Sequence, residues 1–282
     1  MEYSAIDSIT PPCVVSRGSG APPPASREPR PMTSAGSVTA GLSTLSFARP
    51  VPAPRPVAVP ATPQDAEIDL ARTALVIVDM QNDFLHPDGW FPRLGVDAAP
   101  LLAIVPRLKA LAAAARAAGL PVIFVNWGVR ADRAELSAPL LAKAGASGRR
   151  PVYGDPSASG RGRILVEGDW GAATIDALAP ERGDLVVHKH RLSGFHDNEF
   201  DSILRNRGID TLLFSGVNID RCVFSTLCDA SFRGYGCLLV EDACATVSPA
   251  YVSDAILFLV RQLYGVTLAS DALIAALEAQ PQ

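Results

Sequence analysis

The chain has 282 residues, 48% of them hydrophobic and 19% charged, enough to bury a sizeable core. Lys plus Arg number 25 against 29 Asp plus Glu, a formal charge of −4, which weighs against a surface built to hold nucleic-acid phosphates. Five cysteines without a CxxC pair speak against a disulfide scaffold or a structural zinc site, and no apolar run reaches the roughly 18 residues of a membrane span.

Residues 1–66 read as a disordered arm. Of the 24 prolines, 13 fall in residues 1–64, where they remove backbone donors and block helices and central strands. Five arginines, no lysine and three acids make this stretch mildly basic. It lacks the compact apolar segment of a signal peptide, so the expected location is the cytoplasm. An organelle-targeting arm and an internal start at Met32 are the alternatives. Cys13 is expected to be inert.

Residues 67–282 read as one domain. Thr73–Val78 is a continuous apolar run ending at Asp79, the pattern of a buried strand. Residues 98–118 predict an Ala/Leu-rich helix stopped by Gly119, and residues 120–125 the next strand. This strand–helix–strand unit is the building block of a parallel sheet. Residues 128–170 are a long excursion rich in Gly, Pro, Arg and Ser, with a short helix near residues 135–143. Excursions of that length are uncommon unless functional. Residues 184–187, 211–214 and 237–240 predict strands. Residues 199–207 and 223–233 predict helices stopped by Gly208 and Gly234. A helix over 249–263, a short strand over 265–267 and a terminal helix from Ala269 complete the chain. The predicted class is α/β: a three-layer α/β/α sandwich around a mostly parallel, Rossmann-like sheet.

Open α/β sheets place their sites beyond the C-terminal ends of the strands. Asp79, Lys189 and Cys222 stand at such positions. A thiol near a cation or a helix N-terminus is favoured as thiolate, and Lys189 can supply the cation. Asp79 can take the thiol proton and pass it to a leaving nitrogen. Amides around Cys222 can hold an oxyanion. Each residue also has a plainer role: a structural cysteine, an aspartate capping a strand end, a solvated lysine.

The same residues carry a family pattern. ALVIVDMQNDF (74–84), HKHRLSGFHDNEFDSILRNRGI (188–209) and LLFSGVNIDRCVFSTLCDASFRGYGCLLVEDACAT (212–246) resemble the three motifs of the isochorismatase-like cysteine hydrolases, in order. The resemblance runs from about residue 73 to residue 267 and leaves out the arm. It implies Asp79 as acid/base, Lys189 as the orienting cation and Cys222 as nucleophile. It also implies a cis peptide at Val217–Asn218, with the amides of Asn218 and Cys222 as oxyanion donors. No cofactor and no metal are needed for this route. Metal-binding relatives carry an Asp-x-His segment where this chain has Asn126, Trp127 and Gly128. His86 and Asp88 are placed in a substrate-side loop.

The implied activity is hydrolysis of a C–N bond in a small amide or ureido substrate through a thioester-like intermediate, with biuret- and triuret-type hydrolases closest in character. An isochorismatase-type vinyl-ether hydrolase is the enzymatic alternative, although that reaction needs no thiolate. A binding or assembly protein on the same scaffold is the other. Phe84, Trp127, Arg130, Asn218 and Arg221 are the candidate substrate contacts. Cys228, Cys237 and Cys244 read as small hydrophobic fillers. The resemblance also implies a homo-oligomer, a dimer or tetramer.

Overall fold

The computed structural model describes Phe47, residues 51–146 and residues 151–279. The chain divides into two units, Met1–Arg49 and Pro50–Gln282, and every element belongs to the second. For residues 1–46 and 48–50 the expected disorder lies outside the described residues.

The strands are β1 (Pro56–Val59), β2 (Ala66–Asp69), β3 (Thr73–Val78), β4 (Val122–Trp127), β5 (Leu185–Lys189), β6 (Thr211–Val217), β7 (Gly236–Ala245) and β8 (Val266–Leu268). The α-helices are α1 (Asn82–Leu85), α2 (Trp90–Arg93), α3 (Ala99–Leu102), α4 (Val105–Ala117), α5 (Ala138–Ala146), α6 (Phe200–Asn206), α7 (Phe224–Phe232), α8 (Ala250–Leu259) and α9 (Ser270–Glu278).

Six strands form one parallel sheet in the order β5-β4-β3-β6-β7-β8. Every residue of β3 and β4 is buried, because both faces of a parallel sheet are covered. Right-handed crossovers, the rule for parallel strands, send helices to opposite faces as the order runs outward from β3 in both directions. The order reverses between β3 and β6, so a crevice opens beyond their C-terminal ends. No helix among the described residues is long and apolar enough to cross a membrane.

Four features depart from the sequence expectation. Order begins earlier than residue 67: β1 pairs antiparallel with β2 and buries Val57 and Val59. Proline density hid this strand, yet Pro56 is its first residue, where a missing donor is tolerated. The single helix over 98–118 is two, α3 and α4, because Pro100 and Pro106 each sit in a helical first turn. Strand β7 runs to Ala245 rather than Val240. A register shift opposite residues 214–216 of β6 takes up three extra residues between Leu239 and Cys244, where the ladder resumes. Finally, Ile219–Val223 winds as a wide π-type turn ahead of α7, so Cys222 lies in that turn rather than in a regular helical first turn. Such turns recur at functional sites.

Gly216 shows how tightly the centre is built. Its φ is +106°, and a Cβ there would press on the Val78 carbonyl of the neighbouring strand. Only glycine lets β6 pass this close to β3 just before the turn that carries Cys222.

Candidate functional site

Asp79 is the first residue beyond β3. It holds a left-handed backbone (φ 51°), a region that Asp enters more readily than most residues. Its N–H donates to the Val125 carbonyl (3.0 Å), and its own carbonyl accepts from Gln81 (2.8 Å). The kink keeps the carboxylate at the crevice, 1% exposed.

Lys189 ends β5, two strands away. In the ladder it is the partner of Trp127, the last residue of β4. Its side chain crosses the indole face, with Nζ 4.2 Å from the ring centroid, and meets Asp79 Oδ2 at 2.9 Å. The ammonium has no exposed surface and also reaches the Arg191 carbonyl (3.4 Å). A lysine this deep is held by its partners rather than by water.

Cys222 is buried beside this pair and touches both of its members. The peptide Val217–Asn218 ahead of it is cis. The Asn218 carbonyl accepts from the N–H groups of Arg221 (3.0 Å) and Val223 (3.2 Å). The exit of β7 clamps the same turn. Thr246 donates to Asp220 (2.6 Å) and Asn218 Oδ1 (3.2 Å), Val247 N–H donates to Asn218 Oδ1 (3.2 Å), and Ser248 donates to Asp220 (2.7 Å). The Asn218 side-chain oxygen therefore holds the turn.

The electrostatics of the cluster follow from burial. Desolvation lifts the Asp79 carboxyl above its ordinary value, although Lys189 and Cys222 pull the other way. Lys189 is lifted as well: desolvation opposes the charge, but Asp79 and Cys222 outweigh it. The Cys222 thiol is pushed up to about 12, by burial first and by the Asp79 charge second, with Lys189 only partly offsetting them. Burial thus works against the thiolate that Lys189 favours, and the nearby acceptor for the thiol proton is Asp79.

A cavity of about 80 Å³ includes Asp79 and Cys222 in its lining, with Asn218, Arg221, Leu192 and the aromatic rings of Phe84, Trp90, Phe91, Trp127 and Tyr153. Four of the five expected substrate contacts thus reach it. Arg130 does not. It is an exposed residue bound to Asp132 (2.7 Å) on the surface of the excursion, and its own N–H donates to Glu135 (2.6 Å). Its neighbours in sequence supply nearer acids than any substrate, which single-residue reasoning could not weigh. His86 caps its own turn, accepting from the Asp88 N–H (3.0 Å). Among the described residues no group of three or more His, Cys, Asp and Glu is arranged to hold a metal.

The reading of single residues missed Gln81, Asp83, Trp90, Tyr153 and Leu192. Gln81 spans the crevice floor, donating to the Trp127 (2.7 Å) and Ala172 (2.6 Å) carbonyls and accepting from the Trp127 N–H (2.8 Å). Asp83 pins the excursion, accepting from the N–H groups of Leu165 (2.7 Å) and Trp90 (3.1 Å). Tyr153 stacks on Trp127 with ring centroids 5.0 Å apart. A run of polar residues directly after a buried strand was the available signal for Gln81 and Asp83. Tyr153 had none, since it sits in an aperiodic stretch.

The isochorismatase domain profile matches residues 73–272. The chain belongs to the isochorismatase family. Within it, ureidoacrylate amidohydrolase RutB of Azorhizobium caulinodans is 37% identical over 208 residues, covering 73% of this chain and 91% of that protein. RutB of Stutzerimonas stutzeri is 32% identical over 228 residues, 80% of this chain and 91% of the relative. Among solved structures, a cysteine hydrolase from Pseudomonas syringae pv. phaseolicola superposes with a TM-score of 0.63 at 27% identity, covering 75% of this chain and 95% of that one. N-carbamoylsarcosine amidase from Thermoplasma acidophilum gives 0.54 at 31% identity, with 71% and 97% covered. The parallel six-stranded sheet of this isochorismatase-family chain is the fold that its sequence motifs implied.

Proposed function

We propose that this protein is a cysteine-dependent hydrolase that cleaves the C–N bond of a small ureido or amide substrate and releases ammonia or an amine. One observation carries the reading: Cys222 lines a cavity whose wall also holds Asp79, paired at 2.9 Å with Lys189. Kinship with proteins named ureidoacrylate amidohydrolase and N-carbamoylsarcosine amidase supports a carbamoyl group as the reacting part.

The steps follow from the charges. The substrate carbonyl settles against Cys222. Asp79 takes the thiol proton as the sulfur–carbon bond forms. The backbone N–H groups of Asn218 and Cys222 receive the developing oxyanion. As the carbonyl reforms, the C–N bond breaks and Asp79 gives its proton to the departing nitrogen. A thioester-like adduct remains on Cys222. Water adds to it while Asp79 accepts a proton, the sulfur–carbon bond breaks, and that proton returns to the thiol. Lys189 keeps Asp79 ionised between the two halves, at a depth where an unpaired carboxylate would protonate.

The walls suit a flat, polar head. Phe84 and Trp127 bracket the space, and the buried Trp127 indole N–H has no partner among the described residues, leaving it for a substrate oxygen. Arg221, braced by Ser248 (3.2 Å) and 3.6 Å from Asp220, brings a guanidinium to the cavity wall.

Ammonia release from ureidoacrylate, N-carbamoyl amino acids, biuret, triuret and nicotinamide, beside pyruvate release from isochorismate, tests this. Ureido compounds should react, and pyruvate release without ammonia from any of them would overturn the reading. The pH profile supplies a second measurement. Asp79 must be ionised to accept the thiol proton, and its carboxyl is raised. The acid limb of kcat/KM should therefore lie above the ordinary 3.8 of an aspartate, with activity lost as pH falls through it. A limb at or below that value would remove Asp79 from the role.

Self-association in the cytoplasm is part of this reading. Phe232, Tyr251, Phe258 and Leu263 lie on α7, α8 and the turn after α8, each more than half exposed, a cluster of apolar surface that marks an interaction face. Sedimentation giving only monomer at micromolar concentration would contradict it.

A further inference from the structure

A second and larger cavity, about 710 Å³, adjoins the first. Trp127, Tyr153 and Leu192 line both, so these three residues are the shared wall between an inner pocket and an outer chamber. The inner pocket, about 80 Å³, has room for roughly two or three waters at about 30 Å³ each. A carbamoyl group and its nearest substituents fill it. Anything more that a substrate carries must pass Trp127, Tyr153 and Leu192 into the chamber, whose volume is that of an ordinary ligand site.

The chemistry of the chamber restricts what that remainder is. Leu140, Leu192, Phe224 and the Tyr153 ring give it apolar walls. Its basic side chains already face acids. Arg191 lies 3.6 Å from Asp197 and donates to the Glu135 carbonyl (3.1 Å), His190 lies 3.4 Å from Asp197, and His196 lies 2.9 Å from Asp229. Arg221, on the inner pocket, is likewise 3.6 Å from Asp220, so charge pairing does not tell the two spaces apart. Their walls do: the apolar side chains of the chamber suit an apolar branch.

We propose that the substrates are N-carbamoyl amino acids, or close analogues, with a bulky apolar or aromatic side chain that occupies the outer chamber. This rests on the carbamoyl hydrolase reading and narrows it: the chamber selects the side chain of the departing amine. Leu192, about half exposed between the two spaces, is the residue the side chain passes. The amine leaves through the chamber, and the S-carbamoyl adduct stays on Cys222 until water releases carbamate, which breaks down to ammonia.

The test is a series with one head and growing side chains: N-carbamoylglycine, N-carbamoylleucine and N-carbamoylphenylalanine, with ureidoacrylate alongside. The expected result is a rise in kcat/KM of at least about tenfold from glycine to phenylalanine, within the range that added apolar contact gives. Leu140→Trp and Ser225→Trp each fill the chamber from a different helix. Each should lower kcat/KM for N-carbamoylphenylalanine at least about tenfold more than for N-carbamoylglycine. Turnover of ureido compounds with a flat or falling series, or Trp variants that lower every member equally, overturns the inference and leaves the hydrolase reading standing. No turnover of any ureido compound overturns both. If one variant fails to fold, the wild-type series and the other variant still decide.

Discussion

Replacing Cys222 with alanine is expected to lower kcat by at least about 10⁴-fold while leaving the folded state intact. The sulfur is the nucleophile of both half-reactions, and no second thiol lines the inner pocket. Cys237 is buried against the Leu227 and Tyr235 carbonyls, and Cys244 lies under Gly216, so neither can substitute. Cys228 lines the outer chamber rather than the inner pocket. Asp79→Asn should lose activity to a comparable degree, because an amide cannot take the thiol proton and a thiol held near 12 does not ionise unaided. Since the two residues act as one unit, the double variant should be scarcely worse than either single one. Steady-state ammonia release, with circular dichroism as the folding control, measures this. A Cys222→Ala protein with a tenth of wild-type turnover would remove the covalent route.

Lys189→Met carries the largest expected cost in stability, about 3–5 kcal/mol. The substitution keeps the volume beneath Trp127 but leaves the Asp79 carboxylate buried with its counter-charge gone. The pH dependence identifies the cause. Asp79 is raised in the folded protein even with Lys189 present, and it rises further without it. A carboxyl raised on folding is no burden below its unfolded value near 3.8, and stability is lost as pH rises through the folded value. The deficit of Lys189→Met should therefore be full at neutral pH and shrink as the pH falls toward 4. Lys189→Met/Asp79→Asn should recover most of the loss at neutral pH and lose the pH dependence. In the wild type, Lys189 is raised above 10.5, so its share of the pair's stability holds at neutral pH and is lost only as pH climbs through that raised value. Urea unfolding midpoints at pH 4.5 and 7.5 distinguish these outcomes. A deficit that does not change with pH would mean that packing against Trp127, rather than charge, is what Lys189 supplies.

The sequence alone determined the skeleton of this protein. Thr73–Val78 is an uninterrupted apolar run, and an interior strand covered on both faces has no other pattern to show. Asp79, Lys189 and Cys222 follow or end strands of one parallel sheet, and that sheet delivers its strand ends to a single edge. Local periodicity was sufficient for the strand and topology rules for the shared edge, whereas singling out these three residues as one site also drew on the family resemblance of their motifs.

What only the tertiary structure decided lies wherever a residue's role depends on a neighbour remote in sequence. The β1 strand is invisible among prolines until β2 pairs with it. Arg130 looks like a free cation until Asp132 and Glu135 surround it. Tyr153 becomes a pocket wall only because the excursion is pinned at Leu165 by Asp83, 82 residues away, and laid over Trp127. The protonation of Cys222 likewise belongs to no segment. It is set by burial and by two charges from other strands, and desolvation and Coulomb energies depend on distances in space that the order of residues does not encode.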